Sequence, residues 1–122
     1  MLAQYLDITE AFNANDGNDG AVIELSGWDY GLIQLVGNSI DVNFYATIDS
    51  GSVQNVTDGN DVSARNFIQI AVTDVSTDTL ITTLSTDGII KVGVVGRYLK
   101  VIRNSSFGVT VGKVLVMLTK IS

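Results

Sequence analysis

Between residues 39 and 49 the chain alternates with a period of two. Ile40, Val42, Phe44, Ala46 and Ile48 fall on one parity, and Asp41, Asn43, Tyr45, Thr47 and Asp49 on the other. An extended strand turns the first set to a core and the second to solvent, whereas a helix would scatter the same five apolar residues around its axis. Seven further stretches, rich in Val, Ile, Thr and Tyr, read as strands: 21–25, 30–36, 66–75, 79–84, 89–95, 97–103 and 109–121. In 30–36, Leu32, Ile33, Leu35 and Val36 crowd both parities, which predicts burial on both faces. In 66–75, Ile68, Ile70 and Val72 are expected to face inward. The last stretch is long; Gly112 predicts a bulge or bend, after which Val114, Val116 and Leu118 resume the alternation.

The separators carry turn chemistry. The chain has no proline, and four Asp-Gly pairs (Asp16-Gly17, Asp19-Gly20, Asp58-Gly59 and Asp87-Gly88) supply residues that tolerate positive φ. Gly37-Asn38, Asp49-Ser50-Gly51 and Gly96 do similar work. Short strands at regular spacing, Gly-rich turns and no convincing helix predict an all-β fold, an antiparallel sandwich or barrel. With 122 residues and 46% hydrophobic content the chain suits one domain with a real core. The expected division is an N-terminal arm, 1–20, and a β-sandwich domain of eight strands, 21–122.

The first residues break the rhythm. Leu2, Tyr5, Leu6 and Phe12 make one helical stripe, and Asp7 with Glu10 resembles a weak capping pair. Two readings follow: an arm that docks on a neighbouring molecule, or a first strand or turn that covers the sandwich edge. The start, MLAQYLDITEAF, has no basic n-region and does not read as a secretory signal. No apolar run reaches the ~18 residues that a membrane-spanning helix needs.

Missing residue types exclude much chemistry. Without cysteine there are no disulfides, zinc thiolates or thiol nucleophiles, and without histidine the usual general base and commonest transition-metal ligand are gone. Glycosidase-type carboxylate pairs need a cleft, and none of the 13 acids lies in a stretch that reads as one. The chain is therefore expected not to be an enzyme and to carry no cofactor. Asn13, Asn15, Asp16, Asn18 and Asp19, and again Asp58, Asn60 and Asp61, are oxygen-rich, but neither stretch has the EF-hand register, so both read as turns rather than metal sites. Gly108 to Val114 resembles a phosphate loop only faintly, with one residue too few between its glycines and no Ser or Thr after Lys113. Gly93-Val-Val-Gly96 lacks the flanking helices of a nucleic-acid clamp. The sequons at Asn55 and Asn104 carry no weight without export. Trp28, Tyr30, Tyr45 and Tyr98 suit either ring packing or a carbohydrate-binding platform.

Charge is unevenly placed. Residues 1–64 hold ten acids and no base, whereas 65–122 hold seven bases and three acids, for a net charge of -6. Either complementary surfaces register one copy against another, or the halves interleave and the charges solvate one surface. A net acidic domain argues against nucleic-acid binding.

Two stretches together resemble a known group. Gly27-Trp-Asp-Tyr-Gly-Leu-Ile-Gln-Leu-Val-Gly37 runs into the alternating strand ending at Asp49-Ser-Gly51, and Asp87 to Arg103, with its Tyr98-Leu-Lys-Val, is followed by Gly108-Val-Thr-Val and Val114-Leu-Val-Met-Leu118. This order resembles small jelly-roll-like β-sandwich structural proteins of tailed bacteriophage virions, over roughly 21–121. The resemblance implies a jelly-roll-like sandwich and a virion part: a head decoration (cement) protein on the capsid surface, or a tail- or fibre-associated module binding carbohydrate or host surface. It implies the major capsid protein or another virion protein as partner, and a symmetric homo-oligomer, a trimer included. The expected interface residues are Leu2, Tyr5, Leu6 and Phe12 from the arm, and the cations Arg97, Lys100 and Arg103, facing acids of a neighbour.

Overall fold

A computed structural model of the chain describes residues 2–12, 20–37, 41–48, 67–93, 98–103 and 112–121. The described residues form eleven strands and one 3-10 turn. β1 (Leu2–Asp7) leads into the turn Thr9–Phe12, followed by β2 (Gly20–Glu24), β3 (Tyr30–Val36), β4 (Val42–Thr47), β5 (Ile68–Gln69) and β6 (Val72–Asp74). Then come β7 (Thr79–Ile81), β8 (Thr83–Leu84), β9 (Gly88–Val92), β10 (Tyr98–Arg103) and β11 (Lys113–Lys120).

All pairings are antiparallel, and five of them nest. β1 pairs with β11, β2 with β10, β3 with β9, β4 with β8, and β6 with β7. Successive pairs fall alternately in two sheets, of order β1-β11-β3-β9-β6-β7 and β2-β10-β4-β5, with β8 also on β4. The chain is thus one long hairpin rolled up across two layers, which is the winding of a jelly roll. The expected all-β sandwich is what forms.

The core lies between the sheets. Ile33, Leu35, Ile90, Val92, Val114 and Val116 meet Ile23, Val42, Phe44, Leu99 and Val101 from the other layer. Each set sits at alternate positions along its strand, so the two-residue rhythm is the direct cause of the packing. Val114, Val116 and Leu118 face inward as expected. The β6–β7 hairpin closes over Asp74, whose Oδ1 accepts from the N–H and hydroxyl of Ser76, and whose carbonyl accepts from Asp78 N at 2.8 Å. Asp78 supplies the positive φ (53°) that ends this loop.

Several expectations change. Residues 66–75 and 79–84 each read as one strand, yet each divides between sheets: β5 and β8 join β4, while β6 joins β9 and β7 pairs with β6 at the edge of the other sheet. Alternation continues through such a crossing, so the period cannot reveal it. Ile48 (82% exposed) lies just past the last β4–β10 pair, and Ile68 (71%) sits on a two-residue edge strand; neither is core. Leu32 and Val36 point away from the core, so β3 is buried on one face only. Gly20 is not a turn residue. It opens β2, where a Cβ would clash with the Val101 carbonyl oxygen, and only glycine permits that approach. Gly112 does mark a bend: its Cβ would lie 2.6 Å from the Val36 oxygen, opposite Gly37 with φ 70°.

The N-terminal residues are part of the sandwich rather than an arm or a helix. β1 makes six register pairs with β11, from Leu2↔Lys120 to Asp7↔Leu115. A lone helix of this length is marginal, whereas a strand here both gains a ladder and covers the β11 edge. Thr9 then fixes the corner: its hydroxyl donates to Asp7 Oδ1 and accepts from Val114 N at 3.0 Å. Beyond it Phe12 is fully buried in the core, where a stripe residue for docking had been expected.

Candidate docking face

The outer surface of the six-stranded sheet follows from its registers. Tyr5 lies across from Met117, Met117 from Leu32, Leu32 from Lys91, Lys91 from Thr73, and Thr73 from Leu80. The next row runs Asp7, Leu115, Gln34, Ile89. In a sandwich this face normally carries polar side chains. Here Tyr5 (75% exposed), Leu80 (73%) and Ile89 (37%) stand in solvent, with Leu32, Leu115 and Met117 half-buried among them. Tyr5, Leu32, Gln34, Ile89, Leu115 and Met117 line a shallow groove of about 240 Å³.

Charges frame this surface. Lys91 stands within the face between Leu32 and Thr73, with Nζ 4.6 Å from the centroid of the Tyr30 ring, a cation–π contact that bounds the apolar stripe on the β9 side. The hydroxyl and the N–H of Thr9 both bond to Asp7 Oδ1, and with the nearby Lys113 they hold the Asp7 carboxyl below its ordinary value of 3.8.

The seven expected interface residues part company. Tyr5 is on the outer face, and Leu2 is exposed on the same edge strand. Leu6 faces inward, half-buried against the core. Lys100 is not a surface cation: it is fully buried on the outer side of the smaller sheet, with Nζ 5.5 Å from the Phe67 ring. Arg103, at the end of β10, is also buried. A cation in mid-strand reads as exposed only if nothing folds over it, and Phe67 does. Arg97 and both Asp/Asn-rich stretches lie outside the described residues. The residues sequence reasoning missed are Leu32, Ile89, Leu115 and Met117. Their signal was present, as apolar residues on the outward parity of β3, β9 and β11.

The aromatic residues do not form a platform. Tyr30 is on this face, Tyr45 and Tyr98 are on the outer side of the smaller sheet, and Trp28 packs against the core at the margin between sheets. A second cleft, of about 460 Å³, opens at that margin between β1 and β2, with Gln4, Leu6, Ile8, Glu24, Ser26 and Trp28 among its walls.

No protein-family model matches the chain, and no curated protein matches it either. Among solved structures, the SPBc2 prophage-derived protein YomS shares the fold, with a TM-score of 0.61 over 96% of this chain and 92% of that one, at 12% identity.

Proposed function

We propose that the chain is a structural virion protein without enzymatic activity, a head decoration protein that binds the outside of an assembled phage capsid and stabilises it. One observation carries this reading: the apolar outer face of the six-stranded sheet. Its apolar part, Tyr5, Met117, Leu115, Leu32 and Ile89, covers two side-chain rows on four strands, β1, β11, β3 and β9, and so offers roughly 250–300 Å². Apolar patches of that size on soluble proteins mark sites of association. The prophage origin of the fold neighbour and the lack of histidine and cysteine agree with a part that adheres rather than reacts.

The mechanism is mass action. A protein that binds the assembled shell and not its free subunits shifts the equilibrium away from disassembly. The partner is the major capsid protein or another virion protein, with copies of this chain arranged by the shell's symmetry. No cofactor enters. The tail-associated, carbohydrate-binding alternative finds less support, because the four aromatic residues it needs divide among three surfaces, with only Tyr45 and Tyr98 together. The test is to strip particles of the chain and add it back. Saturable rebinding with restored survival of heat or chelation is the expected result; equal survival of stripped and decorated heads would refute decoration.

A further inference from the structure

The cleft between β1 and β2 has two unlike walls. β1 and its continuation contribute Gln4, Leu6 and Ile8, which are spaced two apart and so present one side-chain face. β2 contributes Ala21, Val22, Ile23 and Glu24 in unbroken succession. Consecutive strand residues point to opposite faces, so four in a row can line one cleft only along the backbone edge. Among the described residues that edge carries no ladder: β2 ends its sheet, and no strand pairs with it on the side away from β10. Leu118 and Trp28 close the cleft toward the core.

From this we infer that the cleft is a strand-acceptor site, in which an extended segment of another protein pairs with β2 and lays alternate side chains on Leu6, Ile8 and Trp28. A residue in a sheet layer fills about 3.3 by 4.8 by 10 Å, or ~160 Å³. The cleft of about 460 Å³ thus holds about three residues of one strand. Main-chain hydrogen bonds would give affinity and the side-chain wall specificity.

Charge identifies the occupant. Glu24 is the charged side chain among the described residues that line the cleft, and both walls come from the half of the chain with ten acids and no base. The segment that fits alternates apolar residues with lysine or arginine. A second copy of this chain is a poor source, because among the described residues its basic strands β9, β10 and β11 are already held inside ladders. This acceptor is separate from the outer face of the larger sheet, so either surface can serve without the other.

The experiment titrates the full chain, labelled with nitrogen-15, with a short synthetic peptide alternating valine and lysine. The expected result is saturable binding that slows hydrogen exchange along β2 and shifts the Trp28 indole signal. Methylating the peptide's backbone nitrogens along one edge should weaken binding by at least tenfold, and along the other edge should leave it intact. Glu24→Lys should weaken the lysine peptide about fivefold to tenfold and favour a glutamate counterpart. No saturation at about 1 mM would overturn the proposal, since that is the weak end of specific recognition. So would equal binding of both methylated series, or perturbation confined to β3 and β11. Binding of a linear oligosaccharide at Trp28 in place of the peptide, or self-association through this cleft, would also overturn it.

Discussion

Met117 lies directly across from Leu32 in the β3–β11 ladder, and both side chains point away from the core. Side chains paired across neighbouring strands stabilise a sheet modestly, by roughly 0.2–1 kcal/mol. Their greater consequence is an apolar stripe that also includes Tyr5 and Leu115.

Replacing Leu32 and Met117 together by threonine should keep the strands, since threonine suits a pleated surface. Stability should change by about 1 kcal/mol or less, whereas binding to assembled heads should fall by about 2 kcal/mol or more. Urea titration and co-sedimentation separate the two effects. Unchanged binding with an unchanged fold would remove this face from the interface.

Phe44 and Ile68 are both apolar residues on predicted strands, yet Phe44 is fully buried and Ile68 is 71% exposed. Phe44→Ala should cost about 3–5 kcal/mol, and Ile68→Thr no more than about 0.5 kcal/mol, in equilibrium unfolding. Comparable costs would mean that β5 is packed differently.

Gly20→Ala is the smallest change with a large expected effect. The added methyl meets the Val101 carbonyl oxygen and the Ile102 Cα, which are backbone atoms that cannot swing aside. Destabilisation of about 2 kcal/mol or more is expected from denaturant midpoints. Gly27→Ala is the useful contrast, since its cost comes from a φ of 86° with no atom in the way.

Asp7 makes stability depend on acid. Its carboxyl titrates below the ordinary 3.8, so its bonds to Thr9 contribute fully above that pH and are lost as the pH falls through the lowered folded value. The stability gap between the wild type and Asp7→Asn should therefore be constant above about pH 5 and narrow below it. A gap that persists unchanged to about pH 2 would show that Asp7 acts through something other than its charge.

The period of two was enough to read an all-β sandwich and most of its core, because burial between two sheets acts on every second side chain. Where the chain changes sheets it was silent: Ile70 links β5 in one layer to β6 in the other without breaking the alternation. The first twelve residues left two readings open, a docking arm or a first strand covering the edge, because Leu2, Tyr5 and Leu6 satisfy a helical spacing while the partner that decides for the strand, β11, is more than a hundred positions away. The docking face was half legible. Leu32 and Val36 stood out, but apolar residues on both parities signal either a second buried face or an adhesive one, and sequence offers no way to choose. Lys100 was illegible for a similar reason, since Phe67 covers it from a distant segment.

The most direct measurement is a cryo-electron-microscopic reconstruction, at side-chain resolution, of a particle carrying the chain. The account predicts density for the sandwich on the capsid exterior, with Tyr5, Leu32 and Met117 of the larger sheet against a neighbouring subunit. A chain found on the tail alone, or on the head with that face turned to solvent, would contradict it.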